Sequence, residues 1–466
     1  MALQTFEYKS KLNAPCGAVF AWHEAPGAFE RLSPPWIKIE VLERIGGING
    51  GTVTLLIRQG PAFIKWKLEH DPKQFIAGQQ FRDYQVEGPF KTWSQIHRVE
   101  PDGENSCYLI DRVEFELPDL ILATFIAEGY IQNELRRLFQ YRHRVIAQDL
   151  EESARYQGGM TMKVLVSGST GLIGSALIPC LTTKGYTVTR LVRPQTRANP
   201  DGSKPVDSVI WDPSKLRIDP DKLAGFDAVI HLAGDSVAGG RWTSERKTEL
   251  RNSRVPATKF LAETLAKLKK KPSVFICASA IGYYGPRGSE ALNESATKGS
   301  GFLADLCQDW ESATRPASEA GIRVVLLRTG LVLSPTGGAL QQMLLPFQFG
   351  AGGQIGDGKQ YYSWITLDDE CGAIVHALET DSLRGPVNIT APHPVTNKEF
   401  TKTLGSVLSR PTLIPIPPFG LRALFGEMAD ELFIGGQNVR PEKLENSGYR
   451  FREAELEPAL RHLLGK

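Results

Sequence analysis

Residues 164–175 read VLVSGSTGLIGS, an apolar run followed by glycines at 168, 171 and 174 and then by a segment of helical length. Each glycine has a separate task in such a turn. Gly168 allows the tight reversal, Gly171 lets a ligand approach the backbone closely, and Gly174 lets the new helix pack against the strand it follows. The unpaired N–H groups and positive dipole end of a helix starting near Leu172 then face outward. With Ser169, Thr170 and Ile173 they form a cradle suited to a pyrophosphate. Because the turn directly follows an apolar run and opens a helix, it is expected to bind a dinucleotide. Pro179 falls in the second turn of that helix and removes a donor, which predicts a kink or an early end.

Downstream, apolar runs recur: TVTRLV from 187, AVIHLAG from 228, SVFICAS from 273 and RVVLLRT from 323. Segments of helical length separate them. This alternation predicts buried parallel strands in an α/β Rossmann-like doubly wound parallel sheet, with helices on both faces. At the end of the second strand an acidic residue would bind the adenosine ribose and select NAD. No Asp or Glu occurs between Ser175 and Gln195, and the strand offers Arg190 and Arg193 instead. A guanidinium can hold a 2′-phosphate through two parallel charged hydrogen bonds, so NADP(H) is preferred over NAD(H). The strand ending His231-Leu232-Ala233-Gly234 should pass its backbone under the cofactor, with the His231 ring packed inside.

Upstream the texture differs. Ile64, Trp66 and Leu68 alternate with Lys65, Lys67 and Glu69, and Val113, Phe115 and Leu117 with Arg112, Glu114 and Glu116, as in half-buried antiparallel strands. Leu122, Phe125, Ile126, Leu135, Leu138, Phe139, Val145 and Ile146 then mark one stripe of a long closing helix. One strand, a short helix near Pro15, several strands and that helix make an α+β unit. The polar segment EESARYQGGMT, 151–161, reads as a linker.

The element order, with NAPCGAVFAWHE near the start and LFQYRH in the closing helix, resembles the helix-grip ligand-binding superfamily of the START and polyketide-cyclase type over about residues 3–150. That resemblance implies an apolar cavity and a hydrophobic ligand; the alternative is that Trp22, Trp36, Trp66 and Trp93 simply fill the core. From Met162 onward, GSTGLIG, HLAG, RWTSERKTELRNSRV, SAIGYYG, LRTGLVLSPTGGAL, LPFQFGAGGQIGDGKQYYSWITLDD and GGQNVRPEKLENSGYRF are together similar to an atypical group of extended short-chain dehydrogenases. Its members are labelled NAD-dependent epimerase/dehydratase-like, with a C-terminal domain of unknown function. The resemblance implies that Glu249, Arg254 and Val332 lie near the cofactor, although the first two residues alone would read as a solvated helix pair. It also implies a cleft closed by the C-terminal region, with Arg241, Trp242, Gln360 and Trp364 on the substrate side; for Trp364 a core position is equally open.

Extended dehydrogenases use a Tyr-x-x-x-Lys pair, in which tyrosine moves a proton and lysine lowers its pKa and holds the nicotinamide ribose. No tyrosine here has a lysine four residues on, and aligning on Glu311 puts Leu303 and Cys307 in the two places. The groups left for chemistry are Ser279, Tyr283 and Tyr284 of ASAIGYYG.

Composition bounds the rest. The 466 residues, 41% hydrophobic and 23% charged, suit several folded domains, expected at 1–152 (the ligand unit), 162–390 (the dinucleotide unit) and 391–466 (a small, mostly helical cap). A net charge of +2 with no long basic block gives nucleic-acid binding no support. Single, scattered cysteines argue against a metal site or disulfide framework and fit a cytoplasmic protein; neither a signal peptide nor a membrane span is read. Two functions stay open, besides a third in which the N-terminal unit is itself the catalyst, a cyclase-like lyase supported by the nucleotide unit. One is an NADP(H)-dependent oxidoreductase or epimerase/dehydratase-like enzyme acting on a small substrate and fused to a hydrophobic-ligand module. The other is a non-catalytic NADP(H)-binding redox or ligand sensor.

Overall fold

The computed structural model of the chain describes residues 3–59, 62–118, 124–156, 161–195 and 207–466. Residues 157–160, inside the expected linker, and Leu122 of the expected helical stripe lie outside them.

The N-terminal unit starts with strand β1 (Gln4–Leu12) and two short helices, α1 (Cys16–Glu24) and α2 (Ala28–Leu32). Strands β2 (Lys38–Ile45), β3 (Thr52–Gln59), β4 (Ala62–His70), β5 (Gln80–Glu87), β6 (Thr92–Pro101) and β7 (Cys107–Glu116) follow, then helix α3 (Thr124–Arg155). The strands form one antiparallel sheet in the order β1-β7-β6-β5-β4-β3-β2. Period-2 alternation sets its inner face: β7 buries Leu109, Asp111, Val113 and Phe115 in turn. Helix α3 lays Leu135, Phe139, Val145 and Ile146 against that face.

The interior of this unit is not uniformly apolar. One hydrophobic cluster gathers Leu12, Trp22, Leu109 and Val145, and a second gathers Phe6, Trp93, Phe115 and Phe139. Between them, on the same strands, runs a polar belt. Ser10 Oγ bonds His143 Nδ1 at 2.7 Å, His143 Nε2 meets Asp111 at 2.6 Å, and His97 sits between Asp111 and Asp83. Buried charges persist only when paired. Burial opposes protonation of His97, yet Asp111 and Asp83 outweigh it and push its pKa up to about 9.

The second body begins with β8 (Lys163–Ser167), α4 (Leu172–Thr183), β9 (Thr187–Val192), β10 (Ser208–Asp212), β11 (Arg217–Ile218) and β12 (Ala228–His231). Next come α5 (Ser244–Asn252), α6 (Val255–Lys267), β13 (Val274–Ala280), β14 (Ala291–Leu292), α7 (Phe302–Ser312), α8 (Arg315–Glu319) and β15 (Arg323–Thr329). The eight-stranded sheet is completed by a later strand, Gly385–Ile389, which pairs with β15. All its neighbours are parallel except the short antiparallel β11 at one edge, so the fold is a Rossmann-like mixed sheet. Helix α4 runs through Pro179 to Thr183 rather than ending early. Pro179 lies close against Gly27 of the N-terminal unit.

The remaining elements are β16 (Leu331–Leu333), α9 (Gly338–Gln348), β17 (Tyr361–Tyr362), β18 (Trp364–Thr366), α10 (Leu367–Glu379), the strand just mentioned as β19, β20 (Val395–Thr396) and α11 (Asn397–Leu408). Then come α12 (Pro418–Phe425), α13 (Glu427–Ala429), β21 (Asn438–Val439), α14 (Glu442–Asn446) and α15 (Leu456–Leu464). This C-terminal part is woven into the rest: β20 pairs with β17, β21 with β14, and α11 and α15 share a core with Trp364.

A buried ion network ties the N-terminal unit to the second body. Arg31 of α2 grips Asp149 of α3 through two nitrogens at 2.8 and 3.0 Å and reaches Asp368, at the start of α10, at 2.5 Å. Arg452 bridges the same Asp149 at 2.8 Å and Glu152 at 2.5 Å. The six cysteines are free thiols. Among the described residues no helix is long and apolar enough to cross a membrane, and no Cys/His/Asp/Glu group could hold a metal ion.

Candidate functional site

The glycine turn after β8 has the geometry its spacing predicts. Gly168 takes φ 70°, and a Cβ there would lie 2.7 Å from the Leu232 carbonyl carbon at the end of β12. A Cβ on Gly174 would fall inside the contact radius of the Gly168 carbonyl oxygen. Only glycine fits either place. Gly171 caps α4 with no side-chain hydrogen bond, so the first N–H groups of the helix are left to a ligand. Ser169 is buried, Thr170 and Gly171 are exposed, and Leu172 and Ile173 are half-buried. The start of α9 closes one side, because Gly337 and Gly338 lie against the Leu172 side chain. Val332, on β16, is half-buried beside the sheet core. The residues present therefore fit a dinucleotide pyrophosphate.

The two arginines of the second strand do not share one task. Arg193 is exposed, immediately past the C-terminal end of β9, whereas Arg190 is half-buried inside the strand, paired with Ser208 and Val166. Ligands of such sheets bind outside the carboxyl ends of the strands, and Arg193 lies nearer that end of β9 than Arg190. A cleft of about 700 Å³, lined in part by Pro194, Trp211, Asp212, Arg217 and Phe260, opens beside it.

His231 is fully buried, its ring held by Ser167 Oγ at 2.6 Å and Thr258 Oγ1 at 3.0 Å. Burial pushes its pKa down to about 4, so it is a neutral core group and only its backbone, with Leu232, Ala233 and Gly234, borders the site. Glu249 is exposed and pairs with Arg246 at 2.9 Å, not with Arg254, so the pair suggested by E-x-x-x-x-R does not form. Arg254 is buried beside Gly234.

The candidate catalytic groups are drawn into a network that spacing did not reveal. Ser279 Oγ donates to Glu311 Oε1 at 2.7 Å. Glu311 is held by both prongs of Arg328, at 2.8 and 2.9 Å. Arg328 Nη1 donates to the Tyr284 hydroxyl at 3.0 Å, and that hydroxyl donates to Asn388 at 2.7 Å. Tyr284 is fully buried, and burial raises its pKa. It is thus a structural strut, which corrects its assignment as a proton donor facing substrate. Tyr283 is half-buried, with the Arg328 guanidinium 3.5 Å from its ring centroid. Leu303 packs under Gly282, and burial, with Glu311 nearby, pushes the Cys307 thiol up to about 12. A neutral buried thiol supplies no fixed charge.

Of the four expected substrate-side residues, two are buried. Trp364 is fully buried and donates to the His393 carbonyl at 3.1 Å, and Trp242 is buried against Phe302 with its Nε1 on the Val237 carbonyl. Both are core. Gln360 is anchored to the backbone of Ile355 and Phe433. Arg241 is exposed, next to Gly426 at the start of α13.

The chain resembles known proteins. Residues 164–390 match the NAD dependent epimerase/dehydratase family, and residues 416–463 match a domain of unknown function, DUF1731. Epimerase family protein Mb2239 of Mycobacterium bovis is 44% identical over 297 residues, 64% of this chain and 96% of that protein. A crystal structure of human epimerase family protein SDR39U1 with NADPH is 32% identical with a TM-score of 0.58, covering 65% of this chain and 99% of that one. A structure described as a nucleoside-diphosphate sugar epimerase from Corynebacterium glutamicum covers 99% of this chain and 90% of its own, at 33% identity and a TM-score of 0.80. The likeness to it therefore takes in the N-terminal unit.

Proposed function

Because the chain belongs to the NAD-dependent epimerase/dehydratase family, we propose that it is an NADP(H)-dependent enzyme of oxidoreductase or epimerase/dehydratase type acting on a small substrate. The glycine turn and uncapped α4 hold the pyrophosphate, Arg193 takes the 2′-phosphate, and Ser279 with Tyr283 faces the reacting group. The bound nicotinamide would supply the hydride chemistry; the chain's own groups bind, orient and move the proton. The observation that carries this reading is Arg193 at the open end of β9, in a stretch without a carboxylate. The NADPH in the human relative supports the same choice. Titrating NADPH and NADH into wild type and Arg193→Asp tests it. We expect the variant to lose about tenfold or more for NADPH and far less for NADH; equal losses would refute the preference.

A second reading, a non-catalytic NADP(H) sensor, is favoured by one observation: Leu303 and Cys307 stand where the proton-transfer pair would be. Following NADPH absorbance against a panel of carbonyl compounds separates the two, and no turnover with any of them favours the sensor. For the N-terminal unit, the strand, short-helix, strand and long-helix order supports a helix-grip module for a hydrophobic ligand, with the polar belt meeting a polar group on it. The divisions 1–152, 162–390 and 391–466 remain part of this proposal.

A further inference from the structure

The five most exposed large apolar side chains among the described residues fall in the C-terminal part: Phe349, Leu413, Ile414, Phe419 and Leu424, each 69–86% exposed. Leu345, near the end of α9, adds a sixth. Backbone contacts bring these positions into one region. Arg410 Nε donates to the Gln348 carbonyl at 2.8 Å, Ile416 N to the Gln354 carbonyl at 2.7 Å and Gly356 N to the Ile416 carbonyl at 3.0 Å. A Cβ on Gly353 would overlap the Ile414 carbonyl oxygen, and one on Gly356 would stand 3.1 Å from the Pro418 ring. The strap between α11 and α12 is thus laced onto the loop that follows α9. Helix α12, PFGLRALF, starts where the strap ends and buries none of its eight residues.

A helix this short does not hold itself. Isolated helices under about 12–15 residues are marginal in water, and packing of an apolar face supplies most of their stability. The six side chains present roughly 800 Å² to solvent, at about 150–250 Å² for each when fully exposed. The largest apolar patch of a typical monomer covers about 300–600 Å², whereas a standard interface buries about 800 Å² on each partner. The rim carries both signs of charge. Arg410 donates to the Gln348 and Ser409 carbonyls, Arg422 pairs with Asp430 at 2.9 Å, and Asp357 lies 3.5 Å from Lys359. A face for anionic lipid or nucleic acid would be cationic throughout. A mixed rim suits a two-fold copy of itself, which sets base against acid.

We propose that this face is covered by a second copy of the chain, in a two-fold dimer built on α12, its strap and the end of α9. The start of α9 lies against Leu172, beside the glycine turn. One helix therefore runs from the interface to that turn.

Sedimentation of the full chain tests it. Wild type is expected to run at the mass of two chains. The double variant Phe349→Asp with Ile414→Asp is expected to weaken self-association about tenfold or more. Phe63→Asp, exposed on β4 of the N-terminal unit, should leave it unchanged. Circular dichroism checks that the double variant is folded; if it is not, Leu413→Ser with Phe419→Ser serves in its place. Wild type that stays a single chain at every concentration, or a dimer that neither pair of substitutions weakens, would overturn the proposal. So would a monomeric wild type that binds phosphatidylcholine vesicles, which would give the face to a lipid surface instead.

Discussion

Tyr284 shows how a residue's chemistry and its task can part. Its spacing after the fifth parallel strand of the sheet suggested a proton donor, yet its hydroxyl is spent between Arg328 and Asn388. Those partners lie 44 and 104 residues away, and Glu311 lies 32 from Ser279, separations no local pattern announces. The glycine turn was legible because a turn is local. Tyr284→Phe should therefore lower the melting temperature, by about 1–3 kcal/mol of stability for the unpaired partners left behind, while Tyr283→Phe acts on turnover with little thermal effect. Calorimetry beside an activity assay checks both. Glu370 offers a pH test. It is fully buried, accepts one hydrogen bond from Thr329 at 2.9 Å, and burial pushes its pKa up to about 8. Its folded pKa lies above its unfolded value, so the folded state is disfavoured progressively as pH rises from about 4.5 to 8. Wild type should lose stability relative to Glu370→Gln across that window; a pH-independent difference in chemical denaturation would remove Glu370 from the explanation.

Among the elements, the join between β8 and α4 carries most of the cofactor site. Gly174 allows the helix to start almost on the carbonyl of Gly168, and Gly171 leaves its N-terminus open. Gly174→Ala should abolish nucleotide binding measured by titration, because backbone, not a flexible side chain, is what the new Cβ meets. Retained affinity would mean that the helix end is not the pyrophosphate cradle. The sequence order also predicted β8, β9, β12, β13 and β15 of the parallel sheet, since buried apolar runs separated by helical segments have few alternatives, but it passed over β10 and β19. Of the kink or early end expected of α4 at Pro179, the early end does not occur, since the helix runs on to Thr183.

At the scale of the molecule, the two bodies are joined by chemistry as well as by chain. Arg31, Asp149, Asp368, Arg452 and Glu152 form a buried network whose directly bonded partners lie up to 337 residues apart, so the docking could not be read from sequence. Burial alone would raise the Asp149 pKa, but Arg31 and Arg452 hold it well below the usual carboxylate range. Its contribution is present above its unfolded pKa near 3.8 and is lost as pH falls toward the depressed folded value. Arg31→Met should cost about 3–5 kcal/mol by leaving buried acids without their partner. The single thermal transition expected of wild type should then split into two in scanning calorimetry; an unchanged single transition would show the network to be dispensable.

At every scale the chemistry points to a fold that holds NADP(H). Native mass spectrometry of the intact protein, as purified and after addition of equimolar NADPH and NADH, tests it most directly. The expected spectrum shows one dinucleotide per chain with the mass of NADP(H), outcompeting NAD(H) and absent from Gly174→Ala. A protein that takes up neither dinucleotide, or prefers NAD(H), would contradict it.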